Sequence, residues 1–242
     1  MKEIEYDLAD VIIGRPHGFT VGRKHFYLYP ITLAKMFLLK RQMEHIEVND
    51  EQLRLNPYLE TLRIVKSHRE TCCQIIAYHT APNTQKDLFC TRSITIRKNF
   101  FAKELDDEEL SSLMIIVLTS DKTDEFLEHL GLKEEHEKMH GVLKIKHKHD
   151  KNTLSFNGKS ILGTFIGQLK EMGYTDNEIL YEKGYTYLRL MLADKVVTIN
   201  LTEEEKDEIP PMLLPDYVDA GDAKNAAKIM AELSNRGLKV GE

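Results

Sequence analysis

Apolar residues recur at helical spacing along most of this chain, most clearly over residues 154–193. Ile161, Leu162, Phe165, Ile166 and Leu169 fall at the intervals of a single helix face. Gly173 follows as a stop, because glycine takes a left-handed backbone conformation most easily. Thr175 and Glu178 have the spacing of a capping box, in which each side chain reaches the other residue's backbone N–H. A second apolar run, Ile179, Leu180, Tyr187, Leu188, Met191 and Leu192, has Gly184 inside it. The spacing predicts two helices joined at a tight corner, with no obviously reactive residue in either.

The same reading extends along the rest of the chain. Residues 1–9 read as loose chain or an edge strand. In residues 10–29, Phe19, Val21, Phe26 and Leu28 flank Gly22-Arg23-Lys24, the pattern of a β-hairpin. A lone hairpin is marginal in water, so this one must pack on a helical body or pair with another chain. After Pro30, Thr32 is a candidate N-cap for a helix burying Leu33, Met36, Phe37 and Met43. Asn56-Pro57 reads as a cap followed by a first-turn proline. It opens a long helix whose inward residues are expected to include Leu59, Leu62, Ile64, Val65, Cys72, Ile75 and Ile76. Residues 87–101 mix strand and helix signals and are taken as helical. Asp106 to Glu109 suit a helix start, and a short helix from Asp121 or Thr123 stops at Gly131. Residues 133–151 read as an exposed charged helix or linker. Thr202 to Glu208 read as a capped surface helix, and residues 219–236 as an amphipathic helix bearing Ala226, Ile229, Met230 and Leu233.

The fold class expected from these patterns is mainly α, with an N-terminal β-hairpin. The expected organisation is a hairpin region (1–30), a helical domain (31–132), a charged connector (133–153), a helical pair with an acidic segment (154–215), and a C-terminal helix and tail (216–242).

Composition narrows the functional classes. The 242 residues carry a net charge of −6 and 30% charged side chains. No apolar run is long enough to cross a membrane, and the acidic N-terminal residues do not resemble a secretion signal. An acidic chain without Trp and with 8% aromatics argues against a nucleic-acid surface and suggests no base-stacking platform. Three cysteines, two of them adjacent, make a poor disulfide framework, and Cys72, Cys73 and Cys90 are expected to be small buried hydrophobes.

Three motifs suggest chemistry. His136, Glu137 and His140 have the H-E-x-x-H spacing of a zinc hydrolase, but their flanks, Lys133, Glu134, Glu135 and Lys138, suit a solvated helix. Lys144, Lys146, His147, His149 and Lys151 form a small basic patch, most simply a solvated face. Gly158-Lys159-Ser160 lacks the upstream glycine of a phosphate loop, so Gly158 is expected in a turn and Ser160 as a cap. No catalytic residue, metal or cofactor is expected. Tyr181, Tyr185, Tyr187, Leu188 and Met191 admit two readings: core packing, or an adaptable surface for a helix of another protein.

Three stretches resemble the tail assembly chaperones of long-tailed phages and prophages of gut bacteria. They are FTVGRKHFYLYPITLAKMFLL, LDDEELSSLMIIVLTSDKTDEFLEHLGL and LSFNGKSILGTFIGQLKEMGYTDNEILYEKGYTYLRLMLADKV. The last is similar to a family pattern of helix, aromatic-Thr corner and second helix. Together they cover most of residues 10–200. The resemblance implies a helical, non-enzymatic protein of the bacterial cytoplasm that is absent from the mature virion. Such a protein binds the long helical tape-measure protein and keeps it soluble until tail-tube subunits assemble around it. It also admits contact with the tail-tube protein and self-association, without nucleic acid or membrane. Phe19, Phe26, Tyr181, Tyr185, Leu188 and Met191 are the expected partner contacts. The alternatives are a structural tail adaptor or completion protein of the virion and, more remotely, the zinc hydrolase.

Overall fold

A computed structural model of the chain describes residues 3–149 and 159–213. It is mainly helical, with one two-stranded antiparallel sheet, β1 (His17–Val21) paired with β2 (Lys24–Leu28). Gly22 makes the turn at φ 59°, a conformation that costs glycine little. The helices are α1 (Glu3–Ile13), α2 (Leu33–Met43), α3 (Asp50–Leu55), α4 (Pro57–His79), α5 (Gln85–Phe89), α6 (Thr91–Glu104), α7 (Asp107–Thr119), α8 (Thr123–His129), α9 (Leu132–His149), α10 (Gly167–Glu171), α11 (Tyr185–Ala193) and α12 (Glu203–Glu208). Two π turns, Leu162–Ile166 and Glu178–Glu182, and a 3₁₀ turn, Pro211–Leu213, complete the described elements. Residues 219–236 and the Gly158 turn lie outside the described residues.

The chain divides into two compact units. One comprises Met1–Leu130 with Ser155–Lys195, the other Gly131–Leu154 with Val196–Glu242. In the first, α4 is the central element and packs against α6 and α7. Ile64, Val65, Cys72, Cys73, Ile75 and Ile76 on α4 meet Ile94, Phe101, Leu110, Leu113 and Met114 in one core. Each large apolar side chain buried there contributes roughly 1.5–3 kcal/mol relative to exposure. The hairpin covers this core: Phe19 and Phe26 stack at 5.8 Å, and Phe26 lies 4.9 Å from Phe101. A smaller cluster joins Leu33, Leu169, Ile179 and Leu188. In the second unit, Val142 and Ile145 of α9 pack with Ile209, and Ile199, Leu201 and Leu213 lie around them.

Local chemistry sets the helix ends largely as the spacing predicts. Thr32 Oγ1 accepts from Lys35 N, and Asn56 Oδ1 accepts from Leu59 N. Full capping boxes form at Asp106–Glu109 and Thr202–Glu205, and the Thr175–Glu178 exchange is present in both directions. Gly131 and Gly173 carry positive φ where helices stop. Residues 85–104 are helical apart from Cys90.

Other expectations need correction. Residues 3–13 form a helix, because Ile4, Leu8 and Val11 recur at helical intervals there. Phe37 is 42% exposed, and α2 buries Leu33, Ala34, Lys35 and Leu39 instead. Leu59 is 60% exposed, while Glu60 beside it is buried. Glu60 is held by the Arg63 guanidinium at 2.7–2.9 Å and by Asn49 N–H at 2.8 Å, which lets a carboxylate replace an apolar side chain. Leu162 is 68% exposed, off the stripe that periodicity assigned to it. The π turn adds a residue to that helical turn, so α spacing misplaces the side chains within it. The second apolar run is two pieces, because Gly184 is extended (φ −61°, ψ 141°) and bridges to Thr32. Cys72 and Cys73 are buried, but Cys90 is exposed in the break between α5 and α6.

Candidate functional site

The six expected partner contacts fall in different surroundings. Phe19 and Phe26 are half-buried on the inner face of the hairpin against Phe100 and Phe101. Tyr181 is half-buried against the main core, and the Tyr185 ring lies tilted beside Phe165, centroids 5.4 Å apart. Met191 is half-buried, and Leu188 has no exposed surface. Leu188 therefore belongs to the core of the smaller cluster and offers a partner nothing while that cluster is closed. The structure brings Tyr185 and Leu188 together there but keeps them apart from the phenylalanine pair.

In the second unit, His136, Glu137 and His140 are exposed on α9. Among the described residues, no three His, Cys, Asp or Glu side chains gather as metal ligands would.

A cleft of about 420 Å³ opens in the first unit. Its elements converge for local reasons. Tyr29 N–H donates to His79 O at 3.0 Å, which fastens the end of β2 to the end of α4. Tyr185 N–H donates to Ile31 O at 2.7 Å, which fixes the start of α11 beside the start of α2. The end of α7 and residues 120–122 before α8 supply another side, and α1 supplies the last.

Most of the charge around the cleft is internally matched. Lys122 Nζ reaches Asp7 Oδ2 at 2.6 Å, and Arg15 pairs with Asp10 at 3.1 Å. The Asp7 hydrogen bond raises the Lys122 pKa. Asp121 Oδ1 accepts from Thr123 N at 3.0 Å and from Thr123 Oγ1 at 2.5 Å. The walls are otherwise apolar or aromatic and include Leu28, Val117, Phe126 and Tyr187.

At one side lies a buried polar group that sequence spacing did not single out. His79 lines the cleft, is 4% exposed, and leaves its Nε2 without a hydrogen-bond partner. Burial, reinforced by the nearby Lys35 amine, pulls the imidazole pKa down to about 3, so the ring is neutral near pH 7. Lys35 is fully buried, and its Nζ donates to Ala81 O at 3.0 Å and His79 O at 3.4 Å. Those carbonyls lie at the C-terminal end of α4, where a cation is favoured. Burial nevertheless draws the amine pKa down to about 7. Asn83 Nδ2 donates to Pro30 O at 2.9 Å, while its Oδ1 is unpartnered. The available sequence signal was a lysine inside the apolar run from Ile31 to Leu39, which periodicity alone treats as a solvated position.

Compared with known proteins, the chain matches no family model, no curated protein and no solved structure.

Proposed function

We propose that this chain is a tail assembly chaperone of a long-tailed phage or prophage, binding the helical tape-measure protein and keeping it soluble for tail-tube assembly. The observation that carries this reading is α1. Eleven residues long, it has no fully buried residue, and it leaves Tyr6, Ile12 and Ile13 58%, 58% and 64% exposed. An apolar helix surface without an internal partner suits the apolar face of another helix. It lies against α11, which carries Tyr185 and Met191. On this reading the protein works by binding rather than catalysis, in the bacterial cytoplasm, and leaves before the virion is complete.

Co-expression with a long helical tape-measure protein tests it. The expected result is a partner that stays soluble and co-purifies only when this chain is present. A partner equally soluble alone overturns the proposal. Joint replacement of Tyr6, Ile12 and Ile13 by Ser should abolish co-purification with thermal unfolding unchanged. Retained co-purification would remove α1 from the contact surface.

A further inference from the structure

We infer, independently of the chaperone reading, that the outer face of the hairpin docks single-stranded nucleic acid, with bases stacking on His25 and Tyr27 and phosphates drawn to Arg23 and Lys24.

The net charge of −6 is carried unevenly along the chain. From Val11 to Met43 no Asp or Glu occurs, whereas Arg15, Arg23, Lys24, Lys35, Lys40 and Arg41 do. The hairpin lies wholly within that stretch. Other cations of the first unit have carboxylate partners, as Arg63 has Glu60 and Lys98 has Glu70. Arg23 and Lys24 are exposed, and neither has an ion pair among the described residues. Lys24 Nζ lies 4.4 Å from the centre of the Phe100 ring instead. The Glu104 carboxylate beside the Gly22 turn is itself held by Lys103 at 3.4 Å. A phosphate chain at this end therefore gains counter-charge that the fold leaves unmatched, and it releases its own counterions on binding.

The rings decide what kind of anion fits. Side chains along a strand alternate between faces. Phe26 and Leu28 turn inward with Phe19 and Val21, so His25 and Tyr27 stand on the outer face. Both are exposed, Tyr27 by 44%. Gly18 is the cross-strand partner of Tyr27, and a Cβ there would lie 3.0 Å from His25 Nε2 and 3.5 Å from Tyr27 Cε1. The glycine thus lets both rings lie down across β1. Thr20 Oγ1 holds His25 Nδ1 at 3.2 Å, and the His25 and Tyr27 rings meet edge-on, centroids 4.8 Å apart. Tyr29 continues the row, 6.3 Å from Tyr27. A row of exposed rings with cations at its end suits unpaired bases on a phosphate backbone. An acidic helix would meet the cations but bring no flat groups to the rings, and in a duplex the bases already stack on one another.

The test titrates the full chain into a short fluorescein-labelled oligothymidylate at low salt and reads anisotropy. An abasic strand of the same length and charge is the second probe, and poly-glutamate is the competitor. Saturable binding of the oligothymidylate is expected, with the abasic strand at least about fivefold weaker for want of stacking. Tyr27→Ala should bring the oligothymidylate down towards the abasic strand and leave the abasic strand unchanged. Arg23→Gln should weaken both and lower the slope of log affinity against log salt by about 0.7, the share of one phosphate contact. Thermal unfolding verifies that each variant is folded, and if Tyr27→Ala is not, the abasic comparison and Arg23→Gln decide. The inference is overturned if the oligothymidylate does not saturate, or if the abasic strand binds equally. It is also overturned if folded Tyr27→Ala binds like the unaltered chain, or if poly-glutamate displaces the probe as well as unlabelled oligothymidylate does, which would make the surface one for an acidic protein.

Discussion

Helices α4 and α1 are both tied to distant parts of the chain by ion pairs, but they are anchored in different ways. On α4, ten of 23 residues are buried, and Arg69 adds bonds to the Asp107 side chain and to the Leu105 and Ala102 carbonyls. On α1 no residue is fully buried. Its Asp7 is held by Lys122, and Asp10 pairs with Arg15 just beyond the helix. Burial stabilises in proportion to area, whereas a solvent-accessible ion pair contributes at most about 1 kcal/mol. The first helix is thus scaffold, and the second can part from the body without dismantling it.

Substitutions can break that contrast or sharpen it. The largest loss is expected from Ile76→Ala on α4, about 2–5 kcal/mol in denaturant unfolding, from lost burial plus a cavity. A loss below 1 kcal/mol would deny α4 its central role. Leu188→Ala is expected to cost about 2–3 kcal/mol, because a fully buried leucine of a small cluster is truncated. Met191→Ala on the same helix should cost under about 1 kcal/mol. Equal costs would return Leu188 to the surface.

The junction between α2 and the end of α4 should respond to pH. His79 holds its proton only below about 3 in the fold, against 6.5 when free. The fold therefore binds fewer protons than the unfolded chain across that interval. The His79 contribution is complete above 6.5 and is lost as pH falls toward 3. At Lys35 the interval runs from about 7 in the fold to 10.5. Stability should therefore rise with pH across it, and Lys35→Met should flatten the rise. Unfolding midpoints measured across pH for both chains check the sign. A rise of the same slope in Lys35→Met would assign it to another group.

The smallest change in global stability, under about 1 kcal/mol, is expected from Lys122→Ala. Hydrogen exchange at residues 3–13 should nevertheless accelerate while that of α4 stays fixed. If both helices accelerate together, α1 is part of the scaffold.

The contrast also explains what the sequence could reveal. Caps are local, so Thr32, Asn56, Asp106 and Thr202 announced their helices. The α4 stripe and the hairpin phenylalanines were equally plain, because burial on one face leaves a period. What failed was non-local. Residues 3–13 are the exception: Ile4, Leu8 and Val11 keep a helical period there, so that helix was legible in the sequence. Lys35 and His79 escaped because their burial follows from how β2, α2 and the end of α4 meet, which no spacing encodes. The cleft draws on residues from Asp7 to Tyr187, and only the folded chain assembles it.

The π turn at Leu162–Ile166 has a consequence for the gene. Each such turn holds one residue more than an α-helix would need, and here Gly167 N–H donates to Leu162 O across the wider ring. Removal of the single codon for the exposed Leu162 should leave an ordinary helical turn, with the residues on either side keeping their places. Insertions and deletions in this reading frame should therefore be best tolerated at the turn, and poorly along α4, where one lost codon would rotate a buried face into water.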